Sequence, residues 1–394
     1  MIIRARPKYF SLAKNQSAGL RNDNELFLSS GRSSLKFLVE QFSRFYRIKP
    51  TVLVQSFNCQ VVLDACLEAG ANVILMDIKL SDFSISYEDI VSLKPLPDMV
   101  LVTHYQGIPN SEYVKIAEYC KKKGIFLIED LAQTYHSKIN NVRVGTLGNV
   151  ALHSFAIDKP FSCFEGGGLE LLNISVGFKQ KLSDEYASLP FESKFKTETD
   201  LAKLELFNSI TCNAEFFKSF RNFKSVGFLV EQGLSVAFIK YFIGLRAVFS
   251  LFEKIYGVLS SFKRAGRIPL LKLCDEKVAE VSRQRACYEY EGREVENLER
   301  YLLKFGFEPN HYLDSDVHWN RYSFIEQTGL LIELLNSSGI EAGRFNWPTP
   351  LHKNKPQSHS VTWAGKLENS EYASKNIVNI PIWSDFFQNF STEA

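Results

Sequence analysis

Between Thr51 and Asp130 short apolar runs alternate with helix-length segments, and no other feature constrains the fold as tightly. Val52-Leu53-Val54, Val73-Ile74-Leu75-Met76, Val100-Leu101-Val102-Thr103 and Ile125-Phe126-Leu127-Ile128 are each of strand length. Val61 to Glu68 reads as a helix stopped by Gly70, and Ser111 to Lys123 as one that turns Val114, Ala117 and Cys120 inward and stops at Gly124. Strands buried on both faces look like near-continuous apolar runs, and strand–helix alternation predicts an α/β fold with a doubly wound, mostly parallel sheet. In such sheets ligands sit beyond the carboxyl ends of the strands. The residues just past each apolar run are therefore where chemistry is expected.

The fourth run stops at Glu129-Asp130, and Gln133 follows three residues on. Gly145 and Gly148 lie in a loop ahead of a second strand, Val150-Ala151-Leu152, and of Ser154-Phe155-Ala156-Ile157-Asp158-Lys159. Cys163-Phe164-Glu165-Gly166-Gly167-Gly168 then leads into the apolar run Leu169 to Leu172. Asp130 and Lys159 both follow strand ends and are candidates for one site. Pyridoxal phosphate requires a lysine for covalent attachment, an acid to keep its pyridine nitrogen protonated, and a phosphate cradle. Lys159 supplies the amine in this reading, Asp130 the acid, Gln133 a hydrogen bond to the ring oxygen and Ser154 a phosphate contact. Singly, a strand-end aspartate is a turn residue and such a lysine is solvated. Their occurrence together, in this order, favours the cofactor. Upstream, Ser29-Ser30-Gly31-Arg32-Ser33-Ser34 opens a helix with Leu35, Leu38, Phe42 and Phe45 on its apolar face. On these residues alone the opening is either a plain N-cap or a set of outward amides suited to a phosphate.

The runs Phe126 to Gln133, Gly145-Thr146-Leu147-Gly148, Ser154-Phe155 with Lys159, and Glu165-Gly166-Gly167 resemble the DegT/DnrJ family of aminotransferases. The likeness is clear from about Leu28 to Asn173 and weak from about Gly266 to Trp383. It implies a PLP-transferase fold of type I with a smaller α+β C-terminal domain, a homodimer, Lys159 carrying the cofactor, Asp130 on its ring nitrogen and Ser154 on its phosphate. Most characterised members aminate keto groups of nucleotide-linked sugars, so the resemblance implies a keto-sugar acceptor and glutamate as amino donor. The family's phosphate-binding Ser-Gly-Thr-Ala-Ala-Leu corresponds here to Ser30 to Leu35, with Arg32 in place of threonine. Gly31, Arg32 and Ser33 are accordingly expected beside the phosphate. Cys59 stands where the family places an aromatic over the ring, so either Cys59 or Phe57 is expected there. His104, also after a strand end, either approaches the cofactor or orients a loop. Related dehydratases carry histidine in place of the lysine, which Lys159 disfavours. A binding or regulatory protein that has kept the fold is the other alternative.

From Val176 to Phe262 the likeness fails, and no equivalent of the family's Asn-Tyr-Arg motif is found. The segment is rich in aromatics, Phe216 to Tyr256 among them, but Glu231, Lys240 and Arg246 interrupt it, so no run is long enough to span a bilayer. Core and subunit interface are expected there rather than a membrane-lying surface. The expected division is a large domain over 1–263 and a small one over 264–394, the latter with a helix from Lys272 to Phe305, a strand from Trp319 to Ile325, a helix from Leu330 to Ser337 and a last strand from Ile377 to Ile382. A net charge of +2 gives no reason to expect nucleic acid. Seven cysteines without a CxxC pair suit reduced thiols in the cytoplasm, and no zinc spacing occurs among them and the seven histidines. Met1-Ile2-Ile3-Arg4-Ala5-Arg6 lacks the apolar core of a signal peptide.

Overall fold

A computed structural model of the chain describes residues 24–211, 268–286, 293–308, 315–337, 342–344, 347–354, 357–380 and 382. The aromatic-rich segment between Phe216 and Phe262 lies outside the described residues, as does the expected domain boundary at 263/264. In chain order the first half contains β1 (Glu25–Leu28), α1 (Gly31–Tyr46), β2 (Thr51–Gln55), α2 (Gln60–Glu68), β3 (Asn72–Met76), α3 (Tyr87–Ser92), β4 (Met99–Thr103), α4 (Tyr113–Lys123) and β5 (Phe126–Asp130). There follow a small hairpin, β6 (Lys138–Ile139) and β7 (Val142–Arg143), then β8 (Val150–Ser154), β9 (Gly167–Leu171), α5 (Val176–Ser188) and α6 (Lys194–Thr211). The C-terminal part contributes α7 (Asp275–Ala286), α8 (Arg293–Lys304), β10 (Ser315–Asp316), β11 (Tyr322–Ile325), α9 (Leu330–Ser337), α10 (Leu351–Asn354), β12 (Val361–Trp363), α11 (Glu368–Asn376) and β13 (Ile377–Ile380).

Eight strands form one sheet in the order β1-β9-β8-β5-β4-β2-β3-β12. From β8 through β12 neighbours are parallel, while β9 runs antiparallel to both β8 and β1. The period of two explains why the apolar runs are unbroken. Val52, Val54, Met99, Leu101, Phe126 and Ile128 join α1 and α2 in one buried cluster. Leu53, Val100, Val102 and Leu127, one residue out of phase, join Ile90 of α3 and Ile116 of α4 in another. The sheet is thus covered on both faces, as the alternation predicts.

Two boundaries differ from expectation. Residues 1–27 read as an irregular lead-in, yet Glu25–Leu28 forms β1, because a run this short gains strand character only by pairing with β9. The glycine triplet reads as a lead into a strand, but β9 begins within it at Gly167. In the C-terminal part, Leu273, Val278 and Val281 pack with Phe27 and Phe155, and β12 extends the large sheet beside β3. A separate cluster of Leu298, Tyr301, Tyr322, Phe324 and Leu335 closes over Phe57, Phe83 and Tyr105. Helix is assigned to Asp275–Ala286 and Arg293–Lys304, with 287–292 outside the described residues.

Candidate active site

The carboxyl ends of β2, β4, β5 and β8 define one edge of the sheet, and the polar residues there bond to one another. Asp130, the last residue of β5, is buried. Its Oδ1 accepts from the Ala132 amide at 3.0 Å and its Oδ2 from the Thr103 hydroxyl at 3.2 Å. Burial pushes the Asp130 carboxyl above its ordinary value, and the Ala132 amide, the Lys159 charge, the Thr103 hydroxyl and His104 pull it back. Glu129, one residue earlier, does different work. Its Oε2 accepts from the Gly145 amide at 2.5 Å and its Oε1 from Leu147 and Gly148 at 3.0 and 2.5 Å. Of the two acids at the strand end, Glu129 therefore pins the 145–148 loop, and Asp130 faces the Lys159 side.

Lys159 follows β8 in a turn where its amide donates to the Ala156 carbonyl at 3.1 Å. Its Nζ lies 3.4 Å from the Asp158 carboxylate. Partial burial raises the Asp158 carboxyl, but the charges of Lys159 and Arg321 more than offset this and hold it below its ordinary value. Gln133 is buried, and its Oε1 accepts from the Gln106 amide at 3.3 Å, so its NH2 group is the end left to donate. Gln106 sits at φ 53°, a left-handed conformation uncommon outside glycine. Its carbonyl and its Oε1 accept from the Asn320 backbone and side-chain amides at 2.9 and 2.8 Å, and Asn320 Nδ2 also reaches the Asp158 carbonyl at 3.5 Å. A C-terminal asparagine thus bridges the Gln133 and Lys159 sides.

The opening of α1 meets the end of β8. Ser30 is the N-cap, with its Oγ accepting from the Ser33 amide at 3.1 Å. The Ser33 hydroxyl is bonded to Ser30 Oγ at 2.7 Å, so Ser33 spends both its polar groups inside the cap. A Cβ on Gly31 would come within 3.4 Å of Ser154 Oγ, and one on Gly167 within 2.2 Å of the Gly31 amide nitrogen. Glycine at both positions is what lets the helix terminus approach the half-buried Ser154. The Arg32 side chain is exposed in the first turn.

Phe57 is expected as one of two candidates for a ring-stacking residue, but it is fully buried. Its ring is edge-on to Trp347 at 5.0 Å and tilted against Tyr105 at 5.2 Å, so it packs the two cores together and has no face to offer. Cys59 is half-buried at the N-cap of α2. His104 is fully buried, and its Nδ1 accepts from the Asn110 amide at 3.1 Å, which orients the turn after β4. Ser56, His352 and Glu371 follow the order of a hydrolytic triad, with Ser56 Oγ 2.7 Å from Nδ1 and Glu371 Oε1 3.0 Å from Nε2. Ser56 is fully buried, however, so the arrangement straps α10 to the end of β2. Thr103, Asn58, Gln106 and Asn320 are additions to the residues expected from the sequence. The strand-end rule that found Asp130 points equally to Thr103 and Asn58; nothing local marks Asn320.

Residues 13–172 match the DegT/DnrJ/EryC1/StrS aminotransferase family. A curated relative, dTDP-4-dehydro-2,3,6-trideoxy-D-glucose 4-aminotransferase of Saccharopolyspora spinosa, is 28% identical over 152 residues, which are 38% of each chain. The chain thus aligns with about two fifths of that relative's length. Among solved structures, a DegT DnrJ EryC1 StrS aminotransferase from Brucella abortus superposes with a TM-score of 0.60 at 18% identity, covering 93% of this chain and 83% of that one. The GDP-4-keto-6-deoxy-D-mannose-3-dehydratase of E. coli, with bound hydrated PLP, gives 0.62 at 16% identity over 93% and 86%. The fold is that of the family's PLP fold-type I enzymes. Among the described residues no helix is long and apolar enough to cross a membrane.

Proposed function

We propose that the chain is a pyridoxal-phosphate-dependent aminotransferase that uses glutamate as donor and a nucleotide-linked keto sugar as acceptor, working as a homodimer. The observation that carries this reading is that Asp130 ends β5 and Lys159 follows β8, the neighbouring parallel strand, at the same edge of the sheet. The residues fit the cofactor. A buried acid, a lysine, an amide with its NH2 end left to donate, and a hydroxyl beside a helix N-terminus kept open by Gly31 and Gly167 are the donor set it requires.

In this reading Asp130 holds the ring nitrogen, Lys159 the reactive carbon, Gln133 the ring oxygen, and Ser154 with the Gly31 and Arg32 amides the phosphate. Cys59 is the residue proposed to lie over the ring. When bound, the group supplies an electron sink for the substrate carbon. Lys159 then moves a proton at that carbon through its Nζ, with the Asp158 carboxylate 3.4 Å from it. Asp130 keeps negative charge opposite the ring nitrogen, and Asn320 fixes the distance between the Lys159 turn and the Gln106–Gln133 pair. The lysine argues against the dehydratase alternative. The substrate's sugar and nucleotide rest on the likeness to the family.

The test is direct. Purified protein is mixed with pyridoxal phosphate, reduced with borohydride and digested; the expected product is a peptide carrying the cofactor on Lys159. Glutamate should abolish the visible absorption of the loaded protein, and added nucleotide-linked keto sugars should be converted to amino sugars. Labelling of another lysine, or none, rejects the assignment. Loading without a response to glutamate favours a binding or regulatory protein instead. Light scattering should give twice the chain mass.

A further inference from the structure

Thr103 and Asp130 end the adjacent strands β4 and β5, Asn58 lies three residues past the end of neighbouring β2, and the three form a hydrogen-bonded line across the sheet edge. The direction of each bond follows from the groups themselves. The Cys59 amide donates to Asn58 Oδ1 at 2.7 Å, which fixes the side-chain amide with its oxygen toward Cys59. Asn58 Nδ2 therefore faces Thr103 Oγ1, at 3.0 Å, and an NH2 group only donates. The Thr103 hydroxyl, having accepted there, has a single proton, and the Asp130 Oδ2 at 3.2 Å is its acceptor. All three residues are at most 4% exposed, so water does not compete for these bonds.

We infer that Thr103 is a positioning residue for Asp130, its hydroxyl proton directed onto the carboxylate by Asn58. The line favours the ionised form of the acid against its burial and orients it at the edge where the ring nitrogen is proposed to sit; its role in catalysis rests on the aminotransferase reading, but its effect on the carboxylate does not. Register supports the assignment, since Thr103 and Asp130 are directly paired across β4 and β5. The ionisable groups that also act on Asp130 are Lys159, after β8, and His104, after β4. Neither changes when Thr103 is replaced by valine, which has the same shape without the hydroxyl.

The test uses the full chain labelled with 13C at aspartate carboxyls, with the Asp130 signal assigned by its absence in D130N. In the protein without added cofactor, Thr103→Val should raise the midpoint of the Asp130 titration by roughly one pH unit, the size of one hydrogen bond to a charged group. Thr103→Ser should restore the parent value. Thr103→Cys, a weak donor of similar size, should lie between, and it carries the test should T103V not fold. An unchanged midpoint in T103V or T103C overturns the inference, whatever the protein binds. A shifted midpoint in a protein that takes up no pyridoxal phosphate upholds it and rejects the functional reading alone.

Discussion

Lys277 offers a quantitative test of how the region behind the candidate site is held together. It is fully buried, and its Nζ donates to Asp200 Oδ2 at 2.6 Å, Glu192 Oε2 at 3.0 Å and the Glu165 carbonyl at 3.2 Å. The network joins α7 to α6 and to the loop between Lys159 and the glycine strand. Replacing Lys277 by methionine keeps most of the stem volume and removes the charge. Asp200 would retain Lys196 at 2.7 Å, but among the described residues the fully buried Glu192 carboxylate would keep only the Thr197 hydroxyl at 3.2 Å. Removing one member of a buried ion pair costs about 3–5 kcal/mol, and the surviving lysine places this case near the lower end. At about 2–4 °C per kcal/mol for a unit of a few hundred residues, Lys277→Met should melt roughly 6–12 °C below the parent by circular dichroism. Adding Glu192→Gln, which removes the stranded charge, should recover part of that loss. A melting point within about a degree of the parent would refute the reasoning, and no recovery in the double variant would show that packing, not charge, is what Lys277 supplies.

Other outcomes are expected nearer the site. Asp130→Asn should retain some pyridoxal phosphate but lose several powers of ten in turnover; parent-like rates would make Asp130 a turn residue. Arg32→Ala should weaken pyridoxal phosphate about tenfold or more and leave phosphate-free pyridoxal unchanged, because an exposed guanidinium in the first turn of α1 can pair with a phosphate proposed to sit at that helix terminus; equal effects on both ligands would reject this. His136 gives a pH signature. Burial, then the charges of Arg143, His318, Lys138 and Arg285, lower its pKa to about 4 from a model-compound value of 6.5. The unfolded chain therefore binds the proton first, so stability should be full above pH 6.5 and fall as the pH drops toward 4. His136→Asn should flatten that part of the melting-versus-pH curve, and an unaltered slope would contradict the assignment.

What the sequence discloses and what it hides divide along a physical line. The strands of the sheet are legible because burial on both faces demands unbroken apolar runs, and Asp130 and Lys159 are legible because the ends of those runs are local features. Thr103 ends a run and Asn58 follows one, but their importance lies in β2, β4 and β5 being neighbours, which no local pattern states. Lys277 is further out of reach. Its partners are 77, 85 and 112 residues away in the chain, and a lysine in an amphipathic helix looks like a solvated one until the helix is docked. Phe57 shows the converse error, since an aromatic after a strand end suits either a ligand or a core, and only the position of Trp347 and Tyr105 decides for the core.

The contrast between Glu129 and Asp130 bears on the proposal that a ligand binds at this edge. Adjacent residues on a strand point to opposite faces, so two neighbouring carboxylates enter different surroundings by necessity. A carboxylate can accept about four hydrogen bonds. Glu129 receives three from backbone amides that are themselves fixed in a glycine loop, so most of its capacity is already used. Asp130 receives two, one on each oxygen, and burial has already shifted it toward the protonated form. A buried acid with fewer donors has more unfilled accepting capacity, and it gains the more from a cationic N–H brought to it. The backbone could have saturated Asp130 as it does Glu129. That it supplies one amide and one hydroxyl instead, and leaves the remaining capacity beside Lys159, is the arrangement expected of a carboxylate whose last partner is a bound ring nitrogen.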